Sequence, residues 1–417
     1  MDKELLLEIG VEDLPAGFLP KAISDMERLL ANLLDEQRVA HGDIVAMATP
    51  RRLCVSCASI ADKQEDQLVE KMGPAKKAGF DEHGNPSKAL IGFAKGQGLD
   101  ISALETITTE KGEYFITRKL NAGVNTMSLL PTILPQLIMS LPFKKSMRWS
   151  DMSIRFARPI HWLLALYGGE IVPFSIENIS SSNKTLGHRF MSPSIIDVKN
   201  SSDYSTKLKQ SFVIVNHIER REIISKITHE AAKSVGGCIL PNDNLLEEVT
   251  FLTEYPTAIC GSFDKEYLRL PKDVLITTMM AHQKYFPVID DRGALMPYFV
   301  TINNTLTKDT QVVKKGNEKV IRARLKDAEF FFYEDQKVSL DARIEGLKKV
   351  VYHSDLGTSY EKMERFRTLA SYIADKVAPT IKETVDRSAF LAKADLDTQM
   401  VGEFSELQGI MGREYAL

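Results

Sequence analysis

A chain of 417 residues, 44% of them hydrophobic, has room for about three domains, each with its own core. Its formal net charge of −3 excludes a generally basic nucleic-acid coat protein, so any contact with RNA has to come from local patches. No apolar run approaches the roughly 18 residues of a membrane helix, four cysteines make no disulfide scaffold, and Met1-Asp2-Lys3-Glu4 is not signal-like, so the expectation is a cytoplasmic globular protein with no membrane contact.

Leu5-Leu6-Leu7-Glu8-Ile9-Gly10 reads as a buried strand, and Val11-Glu12-Asp13-Leu14-Pro15 breaks it and opens a helix reaching about Leu34. Ala48-Thr49-Pro50 then feeds Arg51 and Arg52 into a strand, Leu53 to Ile60. Two arginines there either blunt a sheet edge or meet a polyanion. Cys54 and Cys57 have the spacing of half a metal knuckle, but no second pair follows. Residues three apart on a strand point to opposite faces, so both read as core cysteines.

From Lys71 to Ser150 the chain changes character. Gly73-Pro74 and the stretch Asp81 to Pro86 (DEHGNP) mark turns, and Ser87 caps a helix from Lys88 to Gly96. Thr106 to Leu120 reads as a hairpin around Glu110-Lys111-Gly112, and the whole as a small α+β module. Next, KKSMRWSDMSIRFARPIH sets Lys144, Lys145, Arg148, Arg155 and Arg158 among Trp149 and Phe156. Guanidinium groups neutralise phosphate while flat rings stack on splayed bases, so the pattern suits single-stranded RNA. It equally suits arginines lying over a half-buried tryptophan. Trp162 to Tyr167 reads as a buried strand, and Gly187-His188-Arg189-Phe190 follows. A general-base role for His188 lacks a carboxylate or nucleophile in register, which leaves a structural or RNA-contacting imidazole.

Val213 to Gly237 reads as an amphipathic helix, Leu245 to Tyr255 as a helix ended by Pro256, and Thr257 to Phe263 as a strand. Tyr285 to Ile289 and Met296 to Ile302 flank Asp290-Asp291-Arg292-Gly293, which makes a hairpin, with Pro287 putting its strand at a sheet edge. Ile321, Leu325, Ala328 and Phe332 recur at i, i+4, i+7 and i+11, the buried face of a helix. Between Lys314 and Lys326, over that helix and the loop feeding it, six residues are basic and only Glu318 is acidic. Lys319, Arg322 and Lys326 fall away from the buried face. The patch is either a polyanion contact or a solvated face with Glu318 paired to Arg322. Beyond Glu334 the pattern turns wholly helical: Asp341 to Val351, Tyr360 to Ala378, a break at Pro379, and Thr384 to Phe404.

Taken together these strings resemble a known family. The EIG strand and TPRRL turn, GPAKKAGFDEHGNPSKALIGFAKGQGL with KGEYF, MRW, FARPIH, GHRF, QKYFPV with its Lys284, GNEKVIRARLKDAEFFF and LAKADLDTQMVGEFSELQGIMG are similar to blocks of the β subunit of the bacterial heterotetrameric glycyl-tRNA synthetase. The resemblance covers essentially all 417 residues. It implies a multidomain α+β fold. Residues 1–70 and 140–340 would form an α+β region like the tRNA-contacting B3/B4 module of the phenylalanyl enzyme, residues 71–139 a small inserted α+β module, and residues 341–417 the start of an all-α HD-like domain. Family chains run on past Glu414-Tyr415-Ala416-Leu417 toward an anticodon-binding region, so the expectation is a C-terminally truncated chain with apolar helix faces left uncovered.

No His-Asp dipeptide occurs, and Lys393-Ala394-Asp395 stands where the metal-binding pair of an active phosphohydrolase is expected. A lysine cannot replace a neutral imidazole ligand, so no metal is expected and Asp395 is left to anchor a helix. Neither GxxxxGK[ST] nor GxGxxG is present. In the family the ATP, magnesium and glycine site belongs to a separate α subunit. The resemblance therefore implies a chain with no catalytic residue and no cofactor, which binds tRNA(Gly) and assembles as α2β2 into a class II glycine–tRNA ligase. Candidate tRNA contacts are Arg51, Arg52, Lys144, Lys145, Arg148, Trp149, Arg155, Arg158, His188, Arg189, Lys284, Lys319, Arg322, Arg324 and Lys326. Two other readings stay open, a metal-dependent HD-type phosphohydrolase and a scaffold that touches no RNA.

Overall fold

The structure, a computed structural model, describes residues 2–81 and 84–417 and divides into two compact units. One runs to Gly187 and takes in Pro193–Ser211; the other holds His188–Ser192 and Phe212–Leu417. Among the described residues no helix is long and apolar enough to cross a membrane. Mixed sheets and helices in both units make this a multidomain α+β protein.

In the first unit β1 (Lys3–Val11) is buried from Leu5 onward, as its unbroken apolar run requires. After α1 (Leu19–Glu36) come β2 (Ile44–Thr49) and β3 (Arg52–Ile60), an antiparallel pair whose second strand lies against β1. The chain then builds a separate three-stranded sheet, order β4-β6-β5, from β4 (Gln67–Ala75), β5 (Glu105–Thr109) and β6 (Gly112–Asn121), with α2 (Lys88–Gln97) beside it. Ser87 caps α2 by accepting from the Leu90 amide at 3.3 Å, and Gly98 ends it with a left-handed φ of 66°. Of the DEHGNP turn, Glu82 and His83 lie outside the described residues. Following α3 (Thr126–Met139), β7 (Ile160–Tyr167) joins the free side of β1. The short strands β8 (Glu170–Ile171), β9 (Ser175–Ile176) and β10 (Ile179–Ser182) complete a seven-stranded sheet, β2-β3-β1-β7-β10-β9 with β8 beside β7. A two-stranded ribbon of β11 (Lys184–Leu186) and β12 (Ile195–Asp197) precedes α4 (Ser201–Gln210), which brings Tyr204 to β1. One expectation changes here: β3 is interior, so Arg51 and Arg52 do not blunt an edge.

The second unit is built on a four-stranded antiparallel sheet. Its helix α5 (His217–Lys233) starts later than Val213, because Asn216 caps it and the buried Val213 to Val215 lead in as non-helical chain. Then follow β13 (Cys238–Ile239), α6 (Asp243–Thr250), β14 (Thr257–Ser262), α7 (Lys272–Thr277) with a π-helical turn over Thr278–His282, β15 (Phe286–Ile289) and β16 (Leu295–Asn303). The sheet order is β13-β15-β16-β14. The expected hairpin is therefore present, but Pro287 is not on an edge strand. β13 pairs outside it, and Leu240 donates to the Pro287 carbonyl at 2.9 Å. The missing proline donor coincides with a register irregularity between Pro287 and Ile289, the other place where a strand tolerates proline.

Strand alternation divides the core. Phe286 and Val300 pack with Ile224, Leu245 and Val249 of α5 and α6, while Tyr285 and Phe299 pack with the opposite cluster. That second cluster includes Ile321, Leu325, Ala328 and Phe332 of α8 (Thr310–Asp335), the face expected from the spacing. The segment beyond α8 is not wholly helical. Between α9 (Leu340–Arg343) and α10 (Ser359–Val377) lie a 3-10 turn and a small hairpin, β17 (Val351–His353) with β18 (Gly357–Thr358). Expected as one helix, Thr384 to Phe404 breaks after α11 (Lys382–Leu391), where Lys393 adopts a φ of 74°, and resumes only as α12 (Gln399–Glu403). Asp335, buried at the end of α8, accepts from the Gln399 and Met400 amides (2.9 and 2.8 Å), from Arg343 (3.1 Å) and from the Tyr415 hydroxyl (3.2 Å). Asp395 does anchor a helix: its Oδ2 accepts from the Gly409 amide and, at 3.1 Å, the Gly412 amide at the start of α13 (Ile410–Ala416).

Candidate nucleic-acid interface

Three of the sequence blocks meet at one end of the large sheet. The Val11 amide donates to the Arg51 carbonyl (2.9 Å), Glu12 to Pro159 (2.9 Å) and Leu14 to Pro50 (2.7 Å), so EIGVEDLP, TPRRL and FARPIH are pinned together by main chain. Arg52, expected at the surface, is 0% exposed. Its Nη1 lies 3.4 Å from Glu8 Oε2, 3.3 Å from Thr185 Oγ1 and 2.9 Å from the Leu186 carbonyl. Glu8 is equally buried and also accepts from Thr185 Oγ1 (2.5 Å), Trp162 Nε1 and the Tyr204 hydroxyl. A buried carboxylate is stable only when its lone pairs are occupied, and here four side chains occupy them. Burial, and then the Glu8 charge, push the Cys54 thiol up, which makes it an inert core group. Gly10 sits between Arg52 and Trp162 in the register, and a Cβ there would fall 1.9 Å from the indole. Only a glycine lets the ring lie over the sheet. Arg51 turns outward but stays mostly covered, 4.0 Å from Asp13 and with its guanidinium 5.9 Å from the Trp162 ring centre. Neither arginine of the pair is presented as a loose cation.

The stretch from Lys144 to His161 is largely irregular chain. Lys144, Lys145, Arg148 and Arg155 are exposed, and Trp149 and Arg158 are half-buried. Arg155 folds back on Ser146, reaching its hydroxyl at 3.1 Å and its carbonyl at 2.7 Å. Phe156, which the sequence suggests as a stacking ring, is a core residue packed edge-on against Phe143 at 5.0 Å. The cations thus share a loop without an open aromatic platform beyond Trp149.

The second unit gathers the others differently. Asp309 caps α8 by accepting from the Gln311 and Val312 amides (2.8 and 3.3 Å), so the helix begins at Thr310 and Lys314 and Lys315 are helical, not part of a feeding loop. At 100° per residue, Lys315, Lys319, Arg322 and Lys326 fall within about 60° of arc and along about 16 Å of axis. All four are exposed. Among the described residues Lys315, Lys319 and Lys326 have no ion-pair partner, and Arg322 lies 3.5 Å from Asp264 with both groups open to water. Glu318 does not pair with Arg322. It accepts from the Ser262 amide and hydroxyl at 2.9 Å each and lies 3.9 Å from Lys314, so the sole acid of the run is turned to the sheet. The three lysines of the stripe thus keep their full positive charge, and Arg322 shares its own with Asp264.

The remaining candidates do not join it. Arg324 is exposed but stands about half a turn from the stripe, on the other flank of the helix. Lys284, at a φ of 56°, is held 2.9 Å from Glu248. His188 is 1% exposed and Arg189 half-buried. Lys315 is the stripe member that the sequence reading left off its candidates, and its signal was available: the Asp309-Thr310 cap start puts it in register with Lys319.

A family model described as glycyl-tRNA synthetase beta subunit matches residues 5–417. Glycine–tRNA ligase beta subunits of Syntrophus aciditrophicus, Geotalea uraniireducens and Geobacter sulfurreducens are 59%, 54% and 51% identical to this chain over 417, 416 and 417 residues. In each case the whole chain is covered, against 60%, 60% and 61% of the relative, so the chain spans about 60% of the length of these curated relatives. With a match of this length and identity, the chain belongs to the glycyl-tRNA synthetase beta subunit family.

Proposed function

We propose that this chain holds tRNA(Gly) and assembles with a separate α subunit as α2β2, in the cytoplasm, to attach glycine to tRNA. In this reading the class II site for ATP, magnesium and glycine lies on the α subunit, and no residue of this chain touches the reacting atoms. Residues 1–70 and 140–340 act as a B3/B4-like tRNA-holding region with the module 71–139 inserted in it, and residues 341–417 as an HD-like scaffold without metal. The observation that supports it best is the α8 stripe. Its four members run along about 16 Å of helix axis, a length over which one nucleic-acid strand presents several phosphates. A line of four cations with its acid turned away is poorly explained as a solvated face.

The test combines the chain, the α subunit and tRNA(Gly). Binding of labelled tRNA should be tight at low salt and fall steeply as salt rises, and glycylation by the α subunit should require the β chain. Absence of tRNA binding at low salt with the α subunit present would leave only a scaffold role. Nothing in the geometry favours the phosphohydrolase alternative: among the described residues no three His, Cys, Asp or Glu side chains stand together as a group that could hold a metal ion.

A further inference from the structure

We propose that Phe190 is a base-stacking residue, set at the approach to the N-terminal end of the α8 stripe, where it takes an unpaired nucleobase of the RNA whose phosphates the stripe holds. The inference rests on the RNA-binding reading above. Phe190 is 75% exposed, more than any other aromatic side chain among the described residues. A single exposed ring is ordinary on a protein surface, and what distinguishes this one is that its backbone is held in place. The loop that presents it is fastened. His188 Nδ1 accepts from the Phe190 and Met191 amides at 3.3 Å each, and the His188 carbonyl accepts from the Ser192 amide at 3.0 Å. The buried imidazole thus acts as a cap that fixes the backbone under the ring, and a platform fixed in advance loses less entropy on stacking.

The loop is also tied to the stripe. The Leu306 amide donates to Met191 Sδ at 3.1 Å, and Leu306 lies four residues before Thr310, the first residue of α8. A fixed aromatic on a loop tied to the segment that leads into a line of cations is a combination that single-stranded nucleic acid recognises: stacking for the base, charge for the backbone. Leu306, itself exposed and hydrogen-bonded to Met191, is an apolar side chain that a protein partner would use instead.

The experiment measures binding of the 417-residue chain to labelled tRNA(Gly) and to an RNA hairpin of matched length whose stem is fully paired and closed by a non-nucleotide linker, so that it offers no unpaired base. Phe190→Leu keeps an apolar side chain and removes the ring, whereas Phe190→Trp keeps a stacking surface; the position is exposed, so both variants should fold as wild type. Phe190→Leu should weaken tRNA binding by about 5- to 150-fold, the range for losing one stacked base, and leave hairpin binding unchanged. Phe190→Trp should bind tRNA within about twofold of wild type. If wild type binds tRNA in a salt-dependent way and Phe190→Leu matches it, stacking is overturned while the RNA-binding reading stands. Equal losses on tRNA and hairpin overturn it too. A Phe190→Leu chain that keeps its tRNA affinity but assembles less well with the α subunit, as Leu306→Ala then also should, makes this loop a protein contact. A wild-type chain that binds no tRNA removes the parent reading and the inference with it.

Discussion

Arg52 and Arg322 come from two basic strings, TPRRL and KVIRARLK, and end in opposite environments. In the first unit the element is a strand with period two, so one of two consecutive arginines falls on the face that carries Glu8, Cys54 and Trp162 and that Tyr204 closes over. Charge on that face has to be answered inside the protein, and Glu8 answers it. In the second unit the element is a helix whose buried arc is already filled by Ile321, Leu325, Ala328 and Phe332, so each cation between them stays in water. Basic residues in a string are therefore not equivalent evidence for a polyanion site. On a two-faced strand some of them belong to the core; on an amphipathic helix the apolar period decides which remain available.

The comparison breaks most visibly if the Glu8 and Arg52 pair is dispensable. Glu8→Ala leaves a buried guanidinium unanswered and removes the acceptor of Trp162, Thr185 and Tyr204, so a loss of about 3–5 kcal/mol is expected in urea denaturation. A loss below about 1 kcal/mol means that the knot is not what holds this end of the sheet. Gly10→Ala is the next largest effect, because the added methyl meets the indole at 1.9 Å and the ring has to move. About 1–3 kcal/mol should be lost, with a shift in tryptophan emission as the ring leaves Glu8. An unaltered midpoint and spectrum would show a ring that moves aside without resistance.

How far the sequence could be read follows the same division. The α8 face, the hairpin around Asp290 to Gly293, the Ser87 cap and β1 were legible because each has a local cause: apolar period, turn residues, a capping hydroxyl or an unbroken apolar run. Burial of Arg52 was not, since its partners Glu8 and Thr185 are 44 and 133 residues away along the chain. Arg220 shows the same on a helix: four residues before the buried Ile224, it is itself wholly buried, and its Nε donates at 2.8 Å to the carbonyl of Thr250, 30 residues further along the chain. Pro287 misled because the two-residue β13 that covers its strand is too short to leave a pattern. Within the candidate interface, Lys319, Arg322 and Lys326 were legible from the wheel, whereas the exposure of Phe190 and the turning of Glu318 toward Ser262 depend on contacts across the fold.

On the helix side the comparison sharpens with charge reversal. Lys315, Lys319 and Lys326 changed together to Glu should leave the unfolding free energy within about 0.5 kcal/mol, because none supports the core. The same variant should bind tRNA much more weakly, with the slope of log affinity against log salt reduced by about two to three, one phosphate contact for each lysine. A stability loss comparable to that of Glu8→Ala would erase the distinction between the two regions.

The smallest effect is the most discriminating, because it separates two arginines of one helix. Arg322→Gln should lower the salt slope by about 0.7–0.9 and the tRNA affinity severalfold, whereas Arg324→Gln, half a turn from the stripe, should change neither. A skeptical account attributes any effect at Arg322 to its lost pairing with Asp264. That pair is open to water on both sides, so it contributes at most a fraction of a kcal/mol to the fold, and it competes with phosphate for the guanidinium. Asp264→Asn therefore has the opposite sign under the two accounts: it should strengthen tRNA binding slightly if Arg322 meets phosphate, and weaken it if the pair holds the helix in place. Should Arg324→Gln prove as costly as Arg322→Gln, the contact does not follow the stripe, and the exposed cations Lys144, Lys145, Arg148 and Arg155 of the first unit become the better account of where the RNA backbone runs.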